Sequence, residues 1–122
     1  MSKRRLLVVD DEPGLLRVLT RYLTKLNYDV AAASSAAEAE TAFRADPRSF
    51  AAVVTDMALP DMRGDDLVRR LIGLNPDVAV LFLSGTALDS AGLPLVRAGA
   101  RFLQKPFTPQ MLAESLAALT GA

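Results

Sequence analysis

The amino-acid sequence predicts an α/β fold, a single doubly wound, five-stranded parallel sheet with helices on both faces. Two observations carry this. Short apolar runs of strand length alternate with segments whose leucines recur at helical spacing. The alternation is strict along the chain, without repeat, low-complexity tract or linker, and that is the pattern of parallel strands joined by helical crossovers. With 122 residues, 51% hydrophobic and 23% charged, residues 1–122 are expected to form one domain around a packed core.

The elements follow in order. Leu6-Leu7-Val8-Val9 reads as a buried strand. A helix comes next, with Pro13 in its first turn and Leu15, Leu19, Leu23 and Leu26 along one face. Tyr28 to Ala33 forms a second strand. Ser35, with Glu38 three residues on, has the spacing of a capping box and opens a helix running to about Ala45. Ala52 to Thr55 is the third strand, and Pro60 and Gly64 mark the loop beyond it. Leu67, Leu71 and Leu74 define a helix that ends before Asn75-Pro76. Val78 to Leu83 has the composition of a strand buried on both faces. The fourth helix, Leu88 to Ala98, is the weak element. Gly92 and Pro94 fall inside it, so a short, kinked or poorly ordered segment is expected. Arg101 to Gln104 is the last strand, and Thr108-Pro109 caps a helix bearing Leu112, Leu116 and Leu119.

Composition removes several chemistries. The chain has no cysteine and no histidine, which excludes disulfides, thiolates and imidazole bases. Any catalysis must run on carboxylates, hydroxyls, lysine and a hard cation. Lys plus Arg number 14 and Asp plus Glu number 14, so the basic excess of a nucleic-acid binder is missing and no direct nucleic-acid binding is expected. Lys3-Arg4-Arg5 reads as a solvated lead-in. The apolar runs are too short to span a bilayer or serve as a signal segment, so no membrane association and a cytoplasmic address are expected.

Ligands of open α/β sheets gather at the carboxyl ends of the strands. Asp10 and Asp11 follow the first strand, Asp56 the third, Ser84 the fourth and Lys105 the fifth. Taken singly, each has an ordinary reading. Asp10-Asp11-Glu12 could be a helix start, Asp56 and Ser84-Gly85 turn residues, and Lys105 a surface lysine. Together they place five polar groups on one edge in the order one chemistry needs. Three clustered carboxylates repel and raise at least one pKa unless compensated, and an all-oxygen set suits Mg2+ or Mn2+. A carboxylate beside such a cation can attack a phosphoryl group and become an acyl phosphate. The Lys105 ammonium would balance the added charge, and the Ser84 hydroxyl would donate to a phosphoryl oxygen.

At these residues the chain resembles the receiver domain of two-component response regulators, over roughly Arg5 to Leu119. The matching segments are LLVVDDE, VVTDMALPDMRGDDLVRRL, LFLSGT and FLQKPF. The resemblance implies a flavodoxin-like sheet of order 2-1-3-4-5 and Asp56 as phosphoacceptor. It implies that Asp10 and Asp11 hold Mg2+ with Asp56 and the backbone carbonyl of Ala58, that Ser84 is the switch hydroxyl, and that Lys105 is the phosphate partner. It further implies a cis Lys105-Pro106 bond. Phe102 would be the switch aromatic, although an aromatic in a short strand is equally a core residue. The small Gly85 would leave a path for the phosphodonor.

The resemblance also implies a partner, a histidine kinase or histidine phosphotransfer protein, because this chain supplies no histidine of its own. Two other readings compete. A metal-dependent phosphohydrolase with an aspartyl nucleophile would carry an acid two residues after it, where this chain has Ala58, and would need a general acid. A degenerate receiver that serves only as a docking module would have lost the acceptor, an acid or the lysine. The chain is therefore expected to be a phosphoacceptor switch and not a turnover enzyme. Its last helix carries one acid and no base, so a monomer is expected in place of a dimer held by charges on that face. FLQKPFTPQML also resembles receivers attached to hybrid histidine kinases, so the sequence fits a stand-alone regulator and an excised domain alike.

Overall fold

The computed structural model describes residues 3–86 and 93–121. Strands β1 (Arg5–Val9), β2 (Asp29–Ala33), β3 (Phe50–Asp56), β4 (Ala79–Ser84) and β5 (Arg101–Gln104) form one sheet of order β2-β1-β3-β4-β5. Every neighbouring pair is parallel. Between the strands run α1 (Pro13–Lys25), α2 (Ala36–Ala45), α3 (Gly64–Leu74) and α4 (Leu93–Arg97), and α5 (Pro109–Thr120) follows β5.

Alternation along the strands divides the core in two. Leu6, Val8, Ala52, Val54, Leu81 and Leu83 face α1 and α5, where they meet Leu19, Leu23, Leu112 and Leu116. Leu7, Val9, Val53, Val80 and Phe82 face the other way, toward Phe43 of α2 and Leu67, Val68 and Leu71 of α3. Each of these large side chains gains about 1.5–3 kcal/mol by leaving water, and the pleat ensures that both faces collect that gain. The doubly wound architecture follows directly.

Several expectations shift at their edges. Leu26 does not join the apolar face of α1, being 41% exposed. The helix ends at Lys25, and Asn27, at φ 72°, turns the chain in the left-handed conformation that Asn tolerates. Tyr28 then folds into the core in place of Leu26, its backbone N–H donating to the Leu23 carbonyl at 3.1 Å. The α2 capping box is only half reciprocal. The Glu38 N–H donates to Ser35 Oγ at 3.2 Å, but the Glu38 carboxylate accepts from the Ser34 hydroxyl at 2.7 Å and not from Ser35. The remaining amides at this helix start are served from afar. Asp61, in the loop after β3, accepts from the N–H groups of Ala36 and Ala37 at 2.9 Å each. Those two bonds hold its carboxyl below the usual range.

Pro47–Ser49 forms a 3-10 turn that the apolar periodicity did not mark. Of the fourth helix expected over Leu88 to Ala98, the described part is α4, Leu93–Arg97. Pro94 lies within this described stretch. The rest of the expected helix, 88–92, lies outside the described residues. Among the described residues no helix is long and apolar enough to cross a membrane.

Register aligns the strand ends that matter. Val9 pairs with Thr55, Asp56 with Leu83, and Ser84 with Gln104. Backbone bonds continue the ladder one step past the strands, from Asp10 N–H to Ala33, Met57 N–H to Leu83 and Lys105 N–H to Ser84. Asp10, Asp56, Ser84 and Lys105 are thereby fixed to one edge by main-chain geometry before any side-chain interaction is counted.

Candidate phosphoacceptor and metal site

Asp10 is fully buried at the end of β1. Its Oδ1 accepts the Glu12 N–H at 2.9 Å, and its Oδ2 accepts from Lys105 Nζ at 3.3 Å. Glu12 occupies the N-cap position of α1 but makes no side-chain cap bond, so the acidic run serves the strand-end cluster and not the helix start alone. Asp56 closes β3 at 8% exposure. Lys105 Nζ donates to its Oδ2 at 3.1 Å, and the Ala58 N–H donates to its Oδ1 at 3.2 Å. Asp11 lies at the open side, exposed to solvent. One oxygen from each of Asp10, Asp11 and Asp56 lies within 4.8 Å of the others, a spacing that fits a single cation.

The electrostatics are those of a cluster short of positive charge. Burial pushes the Asp10 carboxyl above its ordinary range, and the nearby Asp56 charge adds to the rise; the Glu12 amide and Lys105 oppose it without cancelling it. Burial, more than repulsion among the acids, is the leading cause. The same burial works to lower the Lys105 ammonium, but the Asp56 hydrogen bond and the Asp10 charge outweigh it and hold Lys105 above its ordinary value. One lysine thus compensates two carboxylates while a third, Asp11, stands unshared beside them. An all-oxygen donor set of this kind matches a hard divalent ion.

The remaining expected residues are placed as follows. Ser84 ends β4, 6% exposed, with its hydroxyl 3.2 Å from Thr86 Oγ1 and accepting the Thr86 N–H at 3.2 Å. Ala58 is exposed at the rim, two residues past Asp56. Among the described residues, a Cβ built on Gly85 would meet no atom within 4 Å. Phe102 is half-buried, paired with Phe82 across β4 and β5 and packed against the core on the α2–α3 side. The Lys105-Pro106 peptide bond is cis.

Three residues at the site were given no part in it from sequence, Gly64 having been read only as a loop marker. Thr86 holds the Ser84 hydroxyl, and only its place in LFLSGT hinted at it. Gly64 begins α3 with its Cα so close to β3 that a Cβ would lie 2.2 Å from the Asp56 carbonyl oxygen. Asp65, next to it, is a buried acid. The doublet Asp65-Asp66 behind a glycine is a helix-start signal, but nothing in it shows which of the two is buried.

A family model, the response regulator receiver domain, matches residues 6–117. The chain belongs to that family. It is 31% identical over 121 residues to the chemotaxis protein CheY1 of Helicobacter pylori, covering 96% of this chain and 97% of that protein. It is 36% identical over 103 residues to the two-component response regulator ORR21 of rice, Oryza sativa, covering 84% of this chain. The chain spans only 15% of the length of that plant relative. Among solved structures, the non-phosphorylated HemR receiver domain from Leptospira biflexa is similar at a TM-score of 0.89 and 33% identity, over 98% of this chain and 96% of that one. This receiver is accordingly a phosphoacceptor module of two-component signalling, and receivers act as signalling switches.

Proposed function

We propose that Asp56 is the phosphoacceptor of this receiver, working with Mg2+ held by Asp10, Asp11, Asp56 and the backbone carbonyl of Ala58. Mn2+ fits the same oxygen set. The observation that supports this most strongly is the convergence of Lys105 Nζ on Asp56 and Asp10, at 3.1 and 3.3 Å, beside three carboxylates grouped within 4.8 Å. When bound, the cation supplies positive charge against the phosphoryl oxygens and lowers the repulsion an anionic nucleophile meets.

The chain's own groups do the rest. A carboxylate oxygen of Asp56 forms a bond to phosphorus as the bond to the leaving group breaks, and the leaving group departs with that electron pair. For a phosphohistidine donor, the broken bond is P–N and the leaving imidazole takes its proton from solvent. Lys105 follows the charge from the carboxylate to the phosphoryl oxygens. Ser84, whose hydroxyl is held among the described residues by its neighbour Thr86, would turn and donate to a phosphoryl oxygen. That turn would open space beside Phe102, coupling the site to the face built from α4, β5 and α5.

The phosphodonor is a histidine kinase or histidine phosphotransfer protein. Beside Lys105 an apolar groove lined by Leu15, Val18, Tyr22, Phe107 and Leu112 offers such a partner a contact surface continuous with the site. We read the protein as a cytoplasmic monomer that binds neither membrane nor nucleic acid. Its zero formal charge and the sparse charge of α5 support this reading.

Incubation with Mg2+ and acetyl phosphate should add one phosphate to the intact chain, as read by mass spectrometry. Excess chelator should prevent it, and Asp56→Asn should abolish it. Uptake by Asp56→Asn at the wild-type rate would overturn the proposal.

A further inference from the structure

The structure assigns a positioning role to Asp65 and Arg63: their ion pair, buried on the acid's side, fixes the turn after β3 in the form the metal site requires. This inference rests on the metal-site reading above and extends it to residues that do not touch the cation.

Among the described residues, Asp65 is the one buried carboxylate outside the Asp10–Asp56–Lys105 cluster. Its side chain is 2% exposed. Both oxygens are engaged, Oδ1 accepting from Arg63 Nε at 3.0 Å and Oδ2 from Arg69 at 3.4 Å. It also lies in the first turn of α3, where the helix dipole favours an anion. These partners offset the cost of burying a carboxylate. They do not explain why a charge is buried there, because an apolar residue of similar size would serve stability as well or better.

Position supplies the reason. Arg63, Gly64 and Asp65 run against the far side of the segment that carries the site. Arg63 forms an isolated antiparallel bridge with Ala58, the residue whose carbonyl is proposed as a metal ligand. The Gly64 N–H donates to the Met57 carbonyl at 2.7 Å, and Gly64 abuts the Asp56 carbonyl. Residues 56, 57 and 58 are thus each braced by 63 or 64. Asp65 anchors that brace from the inside, and the Arg63 side chain, 45% exposed, is clamped onto it. Directional bonds to a buried carboxylate set the pitch of this turn more narrowly than apolar packing would, and an oxygen ligand must be held within a few tenths of an ångström for a hard cation.

The test is the Mg2+ dissociation constant of the full chain, from titrations followed by amide NMR shifts. Arg63→Ala, which removes an exposed side chain and keeps the backbone bridge, should weaken Mg2+ binding about tenfold, as losing outer-shell support of a metal ligand does. Asp65→Asn should weaken it at least as much. Asn75→Ala is the control for stability alone, since Asn75 is buried and bonds Pro47 and Phe50 at the opposite edge of the sheet. It should lower the thermal midpoint and leave Mg2+ affinity at the wild-type value. Wild-type affinity in Arg63→Ala, or an equal loss in Asn75→Ala, overturns the inference. Asp10→Asn separates the two readings. Loss of binding there with none in Arg63→Ala sinks the positioning role alone, whereas wild-type binding in Asp10→Asn sinks the metal site and this inference with it.

Discussion

Gly64→Ala should destabilise the protein by about 1–3 kcal/mol or more and slow its phosphorylation at the same time. A Cβ at this position would lie 2.2 Å from the Asp56 carbonyl oxygen and 3.0 Å from the Met57 Cα, both backbone atoms with no flexible end to move aside. Relief requires α3 to slide outward or β3 to bend at its last residue, and either motion disturbs the 2.7 Å bond from Gly64 N–H to the Met57 carbonyl. For a chain of this size, about 1 kcal/mol corresponds to a few degrees in thermal midpoint. Gly73, also in α3, is the internal comparison. A Cβ there meets nothing within 4 Å, so Gly73→Ala should hold or raise the midpoint. Equal midpoints for the two alanine variants would show that the close contact at Gly64 carries no cost.

Lys105→Ala should separate the lysine's two tasks. With the ammonium gone, fully buried Asp10 and nearly buried Asp56 face one another uncompensated. Breaking a fully buried pair costs about 3–5 kcal/mol; the open side at Asp11 admits water here, so about 1–3 kcal/mol is expected for the metal-free protein at neutral pH. The pH dependence follows from the direction of the shift. Lys105 is held above its ordinary value, so its contribution is fully present below the ordinary lysine range and is lost only as pH rises through the raised value. Mg2+ replaces the missing charge and should raise the variant's midpoint more than the wild type's. It cannot replace the donor at the phosphoryl oxygens, so acyl phosphate formation should remain slower by about 10²-fold. Asp10 adds a second pH signature. Its carboxyl is raised and must lose its proton to bind a cation, so Mg2+ affinity should begin to fall on acidification while ordinary aspartates are still ionised. An unchanged metal-free midpoint in Lys105→Ala would contradict the compensation drawn here.

Most of this architecture was legible in the sequence because it rests on local periodicity. Leu6 to Val9 and Val80 to Leu83 are apolar at consecutive positions and of strand length, as strands covered on both faces are. The leucines of α3 and α5 repeat at helical spacing, and Leu67, Leu71, Leu112 and Leu116 bury where that spacing puts them, with Leu74 and Leu119 half-buried beside them. Strand-end chemistry was legible for the same reason. Once the strands are placed, Asp10, Asp56, Ser84 and Lys105 fall on one edge by topology, without knowledge of any side-chain contact. What the sequence concealed depends on tertiary meetings. Leu26 has the right spacing but follows the helix end, and the left-handed turn at Asn27 gives its core position to Tyr28. Asp61 resembles an ordinary loop acid until α2, 25 residues away, presents its free amides to it. Asp65 and Asp66 are indistinguishable in a string of letters, and only the packing of α3 on β3 buries one and exposes the other. Phe102 was open between core and switch, and its half-buried place against the core is compatible with both.

Locating the phosphate within the chain tests the central claim most directly. After treatment with acetyl phosphate and Mg2+, borohydride reduction converts an aspartyl phosphate to homoserine, which peptide mass spectrometry assigns to one position. The account predicts homoserine at position 56 and at no other, and only when Mg2+ was present. Homoserine at position 10 or 11, or equal labelling with the cation chelated, would contradict it.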